Sequence, residues 1–173
     1  MNRRTFVHIF QFFIFLAIQI LLVRNVVLFN TAFCYIYIAF LLFLPIQMAK
    51  VRLLLLAFIT GLTVDIFYDT VGINAAACVL LAYLRPYVLL LLTPRDDYEK
   101  NDTINLHVMG WRWFTVYALF LVFMHHFALF FLELGSFRAV GFTMAKVLLS
   151  TLLTYIVLVI IQLLFFSIRR TNR

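Results

Sequence analysis

The chain has 173 residues, of which 66% are hydrophobic and 12% are charged. Soluble domains are roughly 45–50% apolar and about 25% charged, so this composition excludes an ordinary soluble fold and predicts that lipid surrounds the chain. The net charge of +7 comes from basic residues at the ends of apolar segments, which favours membrane topology over nucleic-acid binding. The length predicts one domain, residues 1–173.

Six apolar segments indicate membrane spans, each of which needs about 20 residues. In chain order they cover residues 6–23, 32–48, 53–67, 73–92, 113–134 and 142–168. The third is short, and we expect Lys50 and Arg52 to reach the membrane surface at its start. A signal peptide is the alternative for the first segment, but its length and the missing cleavage motif favour a permanent helix. The sequence predicts an all-α bundle of about six transmembrane helices.

Basic residues divide unequally between the two sides of this bundle. With six spans both termini share a side, and that side would carry ten of the 14 Lys and Arg residues. The other side would carry two, Arg24 and Arg138, while Arg85 and Lys146 fall within spans. Because cytoplasmic loops are enriched in Lys and Arg, we expect both termini to be cytoplasmic.

The third span ends in polar residues at a regular spacing. Gly61, Asp65 and Asp69 are four residues apart and therefore share one helix face. The two carboxylates either close a turn at the membrane interface or make a fixed contact with another helix or a partner. Gly61 would allow a close helix approach, and Gly72 and Asn74 suit a turn followed by a helix cap.

Two basic residues lie within spans. Arg85 is about 18 Å into the fourth span at 1.5 Å per residue, nearer the cytoplasmic end, and it could snorkel that way. Asp65 lies near the outer end of its own span, so we do not expect the two to pair. Lys146 lies one turn from the outer end of the sixth span. We therefore expect a cluster on the external side, drawn from Asp65, Asp69, Glu133, Arg138 and Lys146.

Groups that could carry chemistry are sparse. His125 and His126 are adjacent and point about 100° apart on a helix, so packed, hydrogen-bonded histidines are favoured over a metal site or proton relay. Cys34 and Cys78 read as small buried hydrophobes. We expect no cofactor, no metal and no enzymatic activity, since no nucleophile–base arrangement is visible. An intramembrane enzyme using Asp65 and the two histidines is the alternative.

Three motifs in the third and fourth spans carry a family resemblance. They are G-L-x-x-D-I-F at residues 61–67, G-I-N-A-A at residues 72–76 and A-Y-L at residues 82–84. The chain resembles the MreD family of rod shape-determining proteins of bacteria, which show a similar G-x-x-x-D and G-x-x-A pattern there. The first part of the chain resembles the Bacteroidetes-type version, through Gln19, Asn25, Phe29, Tyr35 and Leu44-Pro45.

The resemblance implies a multi-pass protein of the bacterial inner membrane that acts in cell elongation and peptidoglycan synthesis. It implies a non-enzymatic scaffold that works with an MreC-like single-span protein, the MreB cytoskeleton, a RodA-type glycosyltransferase and a class B penicillin-binding transpeptidase. The residues expected to shape the bundle or contact partners are Gly61, Asp65, Asp69, Gly72, Asn74, Arg85 and Lys146.

The family also implies a fold similar to the substrate-binding subunits of energy-coupling-factor transporters. This similarity supplies the alternative function, a transporter subunit that binds a small solute within the bundle. Such a subunit would need a polar-lined cavity of roughly 300–1,000 Å³ open to the outside.

Overall fold

The structure, a computed structural model, describes residues 3–28, 31–93, 98, 104–135 and 139–165, with side chains from residue 7 onward. Its elements in chain order are α1 (Arg3–Ile18), a π-helical turn (Gln19–Val23), β1 (Val27–Leu28), β2 (Ala32–Phe33), α2 (Ile38–Leu42), α3 (Lys50–Tyr68), α4 (Ile73–Leu91), α5 (Leu106–Met109), α6 (Trp111–Leu134) and α7 (Val140–Phe165). The described chain is mostly helical, as the sequence predicts.

Within the described part of the chain, four helices are long and apolar enough to cross a membrane: α3, α4, α6 and α7, with 19, 19, 24 and 26 residues. A helix of 19 residues is about 28 Å long, close to the roughly 30 Å of the hydrocarbon core. These helices coincide with the third to sixth predicted spans. A shorter apolar helix, Val7–Val23, lies at the position of the first predicted span. The count of six spans and the cytoplasmic position of both termini stay predictions.

The second predicted span, residues 32–48, is wrong as a continuous helix. The chain there forms the short strand β2, an irregular stretch and the five-residue helix α2, and then turns at Pro45. Residues 34–44 are all buried. We call residues 31–44 the buried segment. An apolar run of this length fits either a lipid-facing helix or a chain enclosed by other helices, and hydropathy does not distinguish the two.

The buried segment spans much of the depth of the bundle. The Tyr37 hydroxyl bonds to Asn74, in the first turn of α4. The Leu44 carbonyl accepts from Arg85, which lies eleven positions further along α4. Eleven helical residues cover about 16 Å. The segment therefore follows the course that the predicted helix would have taken, but mostly without helical backbone.

Side chains from other elements satisfy the backbone of the buried segment. Phe33 N donates to Ser150 Oγ at 2.9 Å, and Tyr35 N donates to Thr154 Oγ1 at 3.2 Å. Gln19 accepts from Ile36 N at 2.7 Å and donates to the Cys34 carbonyl at 3.3 Å. At membrane depth, non-helical backbone is tolerated where protein encloses it and provides such partners. The polar residues of α7 and of the π-helical turn therefore make this path feasible.

The long helices pack in sequence order, α3 on α4, α4 on α6 and α6 on α7. The buried segment contacts α7 through β2, and α1, α3 and α4 through α2. Its side chains supply much of the core, with Tyr37, Ile38, Leu41 and Leu42 completely buried. The helices thus enclose a polar and aromatic chain segment, and the candidate site lies where α3 and α4 meet it.

Candidate functional site

Asp65 joins α3 to the start of α4. Its carboxylate, 2% exposed, accepts from Asn74 N at 3.0 Å and from Ala75 N at 2.8 Å. It also accepts from the hydroxyl of Thr70 and from Asn74 Nδ2 at 3.1 Å. The first N–H groups of a helix have no intrahelical acceptor and carry the positive end of its dipole. Asp65 therefore caps α4 from a neighbouring helix. Of the two predicted alternatives, closing a turn or making a fixed contact with another helix or a partner, Asp65 makes the fixed contact with a helix.

Gly61 lies against the backbone of α4. A Cβ at this position would overlap the Cα and N of Ala75 and the carbonyl oxygen of Asn74. Since the overlapped atoms are backbone, no side-chain rotation could relieve the overlap. The close approach predicted for Gly61 is confirmed, and its partner is the same turn of α4 that Asp65 caps.

The turn between α3 and α4 needs two left-handed residues. Asp69 ends α3 with φ 54°, and Gly72 precedes α4 with φ 79°. Aspartate is among the few residues with a side chain that adopt this conformation readily, and glycine adopts it without strain. Asp69 is exposed, so it closes the turn while Asp65 makes the buried contact. The two carboxylates thus take the two different roles that were considered for the pair.

A chain of hydrogen bonds leads from Asp65 into the bundle. Asn74 Nδ2 donates to Asp65, and Asn74 Oδ1 accepts from the hydroxyl of Tyr37 at 3.0 Å. The same hydroxyl lies 2.9 Å from His125 Nε2. The four residues come from α3, α4, the buried segment and α6. Together they form the polar chain, defined as Asp65, Asn74, Tyr37 and His125.

The acceptor role of Asp65 sets the direction of this polar chain. A carboxylate only accepts hydrogen bonds, so the amide of Asn74 must turn its NH₂ towards Asp65 and its oxygen towards Tyr37. Tyr37 has a single hydroxyl hydrogen, which goes to Asn74, so His125 must donate through Nε2. His125 Nδ1 is then a bare acceptor, and within the described chain this buried atom has no hydrogen-bond partner.

His126 points away from the polar chain. Its Nδ1 lies 2.7 Å from the carbonyl oxygen of Val122, and its Nε2 lies 3.3 Å from Thr154 Oγ1. Thr154 also accepts from the backbone of the buried segment. Both histidines are fully buried. The expectation of packed, hydrogen-bonded histidines is confirmed, and the two rings serve different neighbours.

Arg85 binds the C-terminal end of the buried segment. Its guanidinium donates to Tyr117 Oη at 2.9 Å, to the Leu44 carbonyl and to the Pro45 carbonyl at 3.4 Å. Tyr117 in turn donates to the Leu42 carbonyl at 2.9 Å. Arg85 is 1% exposed, so the snorkelling interpretation is wrong. The physical reason is that carbonyls at the end of the short helix α2 need donors, and a buried guanidinium needs acceptors.

The predicted external cluster forms only in part. Lys146 Nζ pairs with Glu133 Oε2 at 3.1 Å. Asp65 takes its partners from Thr70 and the start of α4 instead, and the expected link between Asp65 and Lys146 is not formed. Arg138 lies outside the described residues. As expected, Asp65 and Arg85 do not pair; each is engaged by its own set of neighbours.

Several residues of the site were not predicted from the sequence. Tyr37 was given no role in the site, yet it is the centre of the polar chain and is 0% exposed. Thr70, Tyr117, Ser150 and Thr154 were given no role. The available signal was the presence of small hydroxyl residues in α7 at positions 150, 151 and 154. Such residues in apolar helices often bond across to other elements.

The outer face of the α3–α4 pair forms a groove. It has a volume of about 640 Å³ and is lined mainly by apolar side chains, with Phe58, Leu62, Ile66, Ala76 and Val79 among them. Asp65 and Gly72 are also among its lining residues. The residues that fix the α3–α4 crossing therefore also shape this surface, which we call the α3–α4 groove.

Comparisons with known proteins found no relative of this chain. No protein-family model, no curated protein and no solved structure matches the chain. The resemblance to the MreD family therefore depends on the three motifs quoted above. The structure gives three of their residues, Gly61, Asp65 and Asn74, defined contacts between α3, α4 and the buried segment.

Proposed function

We propose that this protein is a non-enzymatic membrane scaffold of the bacterial cell-elongation machinery. In this role it would sit in the inner membrane as a multi-pass protein, with both termini in the cytoplasm, and support peptidoglycan synthesis. Its partners would be an MreC-like single-span protein, the MreB cytoskeleton, a RodA-type glycosyltransferase and a class B penicillin-binding transpeptidase. The proposal starts from the motif resemblance and gains support from the way those motif residues are used.

The observation that carries the proposal is the construction of the α3–α4 pair. Gly61 brings the helix backbones together, and Asp65 fixes the start of α4. On the outer face of the pair lies the α3–α4 groove, which has apolar walls and small residues such as Ala76 in its lining. Helices associate in lipid by close packing over small residues. A single transmembrane helix of the MreC-like partner is the occupant we propose for this groove.

The ionisable groups at membrane depth serve internal contacts. Asp65 caps α4, Arg85 binds carbonyls of the buried segment, and His126 bonds to α7. Ionisable groups that make such internal contacts stabilise the shape of the helix bundle. This use of polar groups favours a scaffold over an enzyme. The transporter alternative predicts a polar-lined cavity, whereas the walls of the α3–α4 groove are mostly apolar, so we favour the scaffold.

The test is affinity purification from the native cell in mild detergent, followed by mass spectrometry of the proteins recovered. Recovery of a single-span periplasmic protein with the glycosyltransferase and transpeptidase is the expected result. Replacing Ala76 by Trp should fill the groove and reduce recovery of the single-span protein. Leu152→Trp is the matched control, because Leu152 is exposed on α7, away from the groove.

Two outcomes would contradict the proposal. If Ala76→Trp folds and still recovers the single-span protein as well as Leu152→Trp does, the groove is not its binding surface. If paired ATPases and a coupling membrane protein are recovered, or a vitamin remains bound to the purified protein, the transporter alternative replaces the scaffold.

A further inference from the structure

The end of the α6–α7 pair that contains Glu133 and Lys146 has a feature that the scaffold role does not explain. Glu133 lies one residue before the end of α6 at Leu134, and Lys146 lies six residues after the start of α7 at Val140. Six residues of helix correspond to about 9 Å. Both charges are thus near the same end of the helix pair, where a spanning helix meets the lipid headgroups.

Lys146 is held in a fixed position. Its Nζ donates to Glu133 Oε2 at 3.1 Å and lies 4.7 Å and 4.4 Å from the ring centres of Phe33 and Phe130. A cation over two aromatic faces is attracted to both. The side chain is 20% exposed, so part of the ammonium still reaches the surface.

Glu133 has binding capacity left. Its side chain is 51% exposed, and it uses Oε2 for the ion pair. Within the described chain, Oε1 accepts no hydrogen bond. A carboxylate has about four lone-pair sites, so Glu133 can accept a further charged donor without giving up Lys146.

A pocket of about 280 Å³ opens beside this pair. Phe130, Leu134, Phe142 and Thr143 complete its lining. Pockets for drug-sized molecules start at roughly 300 Å³, so this one fits a smaller group. Phe142 is also exposed to the surroundings of the bundle, which in a membrane are lipid chains. A ligand with a small polar head and an apolar tail matches this setting.

We propose that this pocket binds the headgroup of a zwitterionic phospholipid with a primary ammonium, of the phosphatidylethanolamine type. The ammonium donates to Glu133 Oε1 in the aromatic-lined pocket, and the phosphate lies beside Lys146. The two charges of the headgroup then run opposite to those of the ion pair, so each meets its complement. The inference requires only that this end of the α6–α7 pair lies at a membrane surface, and it does not depend on the scaffold role.

The proposed chemistry predicts selectivity among lipids with the same acyl chains. Phosphatidylcholine has a quaternary ammonium without N–H groups and leaves Glu133 Oε1 without a donor. Phosphatidylglycerol has no cation, so with its phosphate beside Lys146 it offers Glu133 Oε1 only uncharged hydroxyl donors. We expect about tenfold preference for phosphatidylethanolamine over phosphatidylcholine, which is the ratio that one charge-assisted hydrogen bond supplies.

The experiment is native mass spectrometry of the purified full chain in detergent with equimolar lipids of the three headgroups. Wild-type protein should retain phosphatidylethanolamine. Glu133→Gln should reduce its preference over phosphatidylcholine to about twofold or less, since the uncharged amide oxygen of glutamine binds the ammonium more weakly than a carboxylate does. Lys50→Met is the matched control, because Lys50 lies over the ring of Tyr87 at 5.5 Å, away from the pocket.

A second measurement needs no variant. Phosphatidylethanolamine methylated once, twice and three times on nitrogen loses its N–H donors in steps, and retention by the wild-type protein should fall most at the last step. Equal retention of all headgroups, or retention of phosphatidylglycerol above phosphatidylethanolamine, would overturn the proposal. So would a folded Glu133→Gln protein with unchanged preference.

Discussion

Gly61 and Ala75 meet backbone to backbone, at the turn of α4 whose N–H groups bind Asp65. The two features depend on each other. If the helices were further apart, the short side chain of aspartate would not reach the N–H groups of Asn74 and Ala75. The glycine and the aspartate, four residues apart on one face of α3, therefore act as a single device for joining two helices.

Gly61→Ala should destabilise the protein by about 1–3 kcal/mol, the usual cost of forcing an extra carbon into a packed site. Thermal unfolding in detergent measures the change. Gly141→Ala is the control, since within the described residues nothing apart from its own helix backbone lies within 4 Å of a Cβ built at that glycine, and it should be neutral or slightly stabilising. Equal melting temperatures for the two variants would contradict the close contact.

Asp65→Asn should be far more damaging than Asp69→Asn. The amide at position 65 would direct an NH₂ group at donors of Thr70, Asn74 and Ala75, and each buried polar group left unpaired costs about 1–3 kcal/mol. Asp69 is exposed with φ 54°, a conformation that asparagine also adopts. The yield of folded protein and its melting temperature compare the two variants, and similar losses would contradict the capping role.

Arg85 and Tyr117 should be energetically coupled. Tyr117→Phe leaves Arg85 Nε and the Leu42 carbonyl without a partner, and Arg85→Met leaves the Leu44 carbonyl without its guanidinium donor. A double-mutant cycle on unfolding free energy should give a coupling of about 0.5–3 kcal/mol. Additive effects would mean that the two side chains support the buried segment independently.

His125 should be protonated on Nε2 and bare on Nδ1. The ¹⁵N spectrum of protein labelled on histidine measures this. The exposed His107 is the internal reference for a ring in which the two tautomers average. Tyr37→Phe removes the hydroxyl that accepts from Nε2 and should shift the His125 signals, while those of His107 stay unchanged. A proton on Nδ1 in the wild-type protein would show that the polar chain runs in the opposite direction.

The sequence revealed the α3–α4 site because charges and glycines stand out in an apolar background. Asp65 at four residues from Gly61, followed by Gly72 and Asn74, already indicates a helix, a close contact and a turn. The cap was expected from Gly72 and Asn74, whereas Asp65 provides it and Asn74 lies inside α4. The partners of Asp65 are within ten residues of it, yet Asp65 was expected in a cluster with Lys146 and Glu133, because spacing shows which residues share a face and not which donors a carboxylate binds.

The buried segment was not predictable by the same means. It is an apolar run, as a spanning helix is, and the groups that make its path feasible lie far away in the chain. Phe33 and Ser150 are 117 residues apart, and Tyr37 and His125 are 88 residues apart. Arg85 was expected to snorkel for a similar reason. Its acceptors include main-chain carbonyls, which every residue has, so no particular residue type in the sequence indicates them. Pro45 was the one local sign of a break.

The dependence of the buried segment on α7 has a consequence for biogenesis. Residues 33 and 35 receive their backbone acceptors from Ser150 and Thr154, which leave the ribosome more than a hundred residues later. Until then the N–H groups of this early stretch need other acceptors, such as water or an insertion factor, since lipid offers none. This part of the structure should therefore form only after α7 has left the ribosome, and truncation within α7 should release the buried segment.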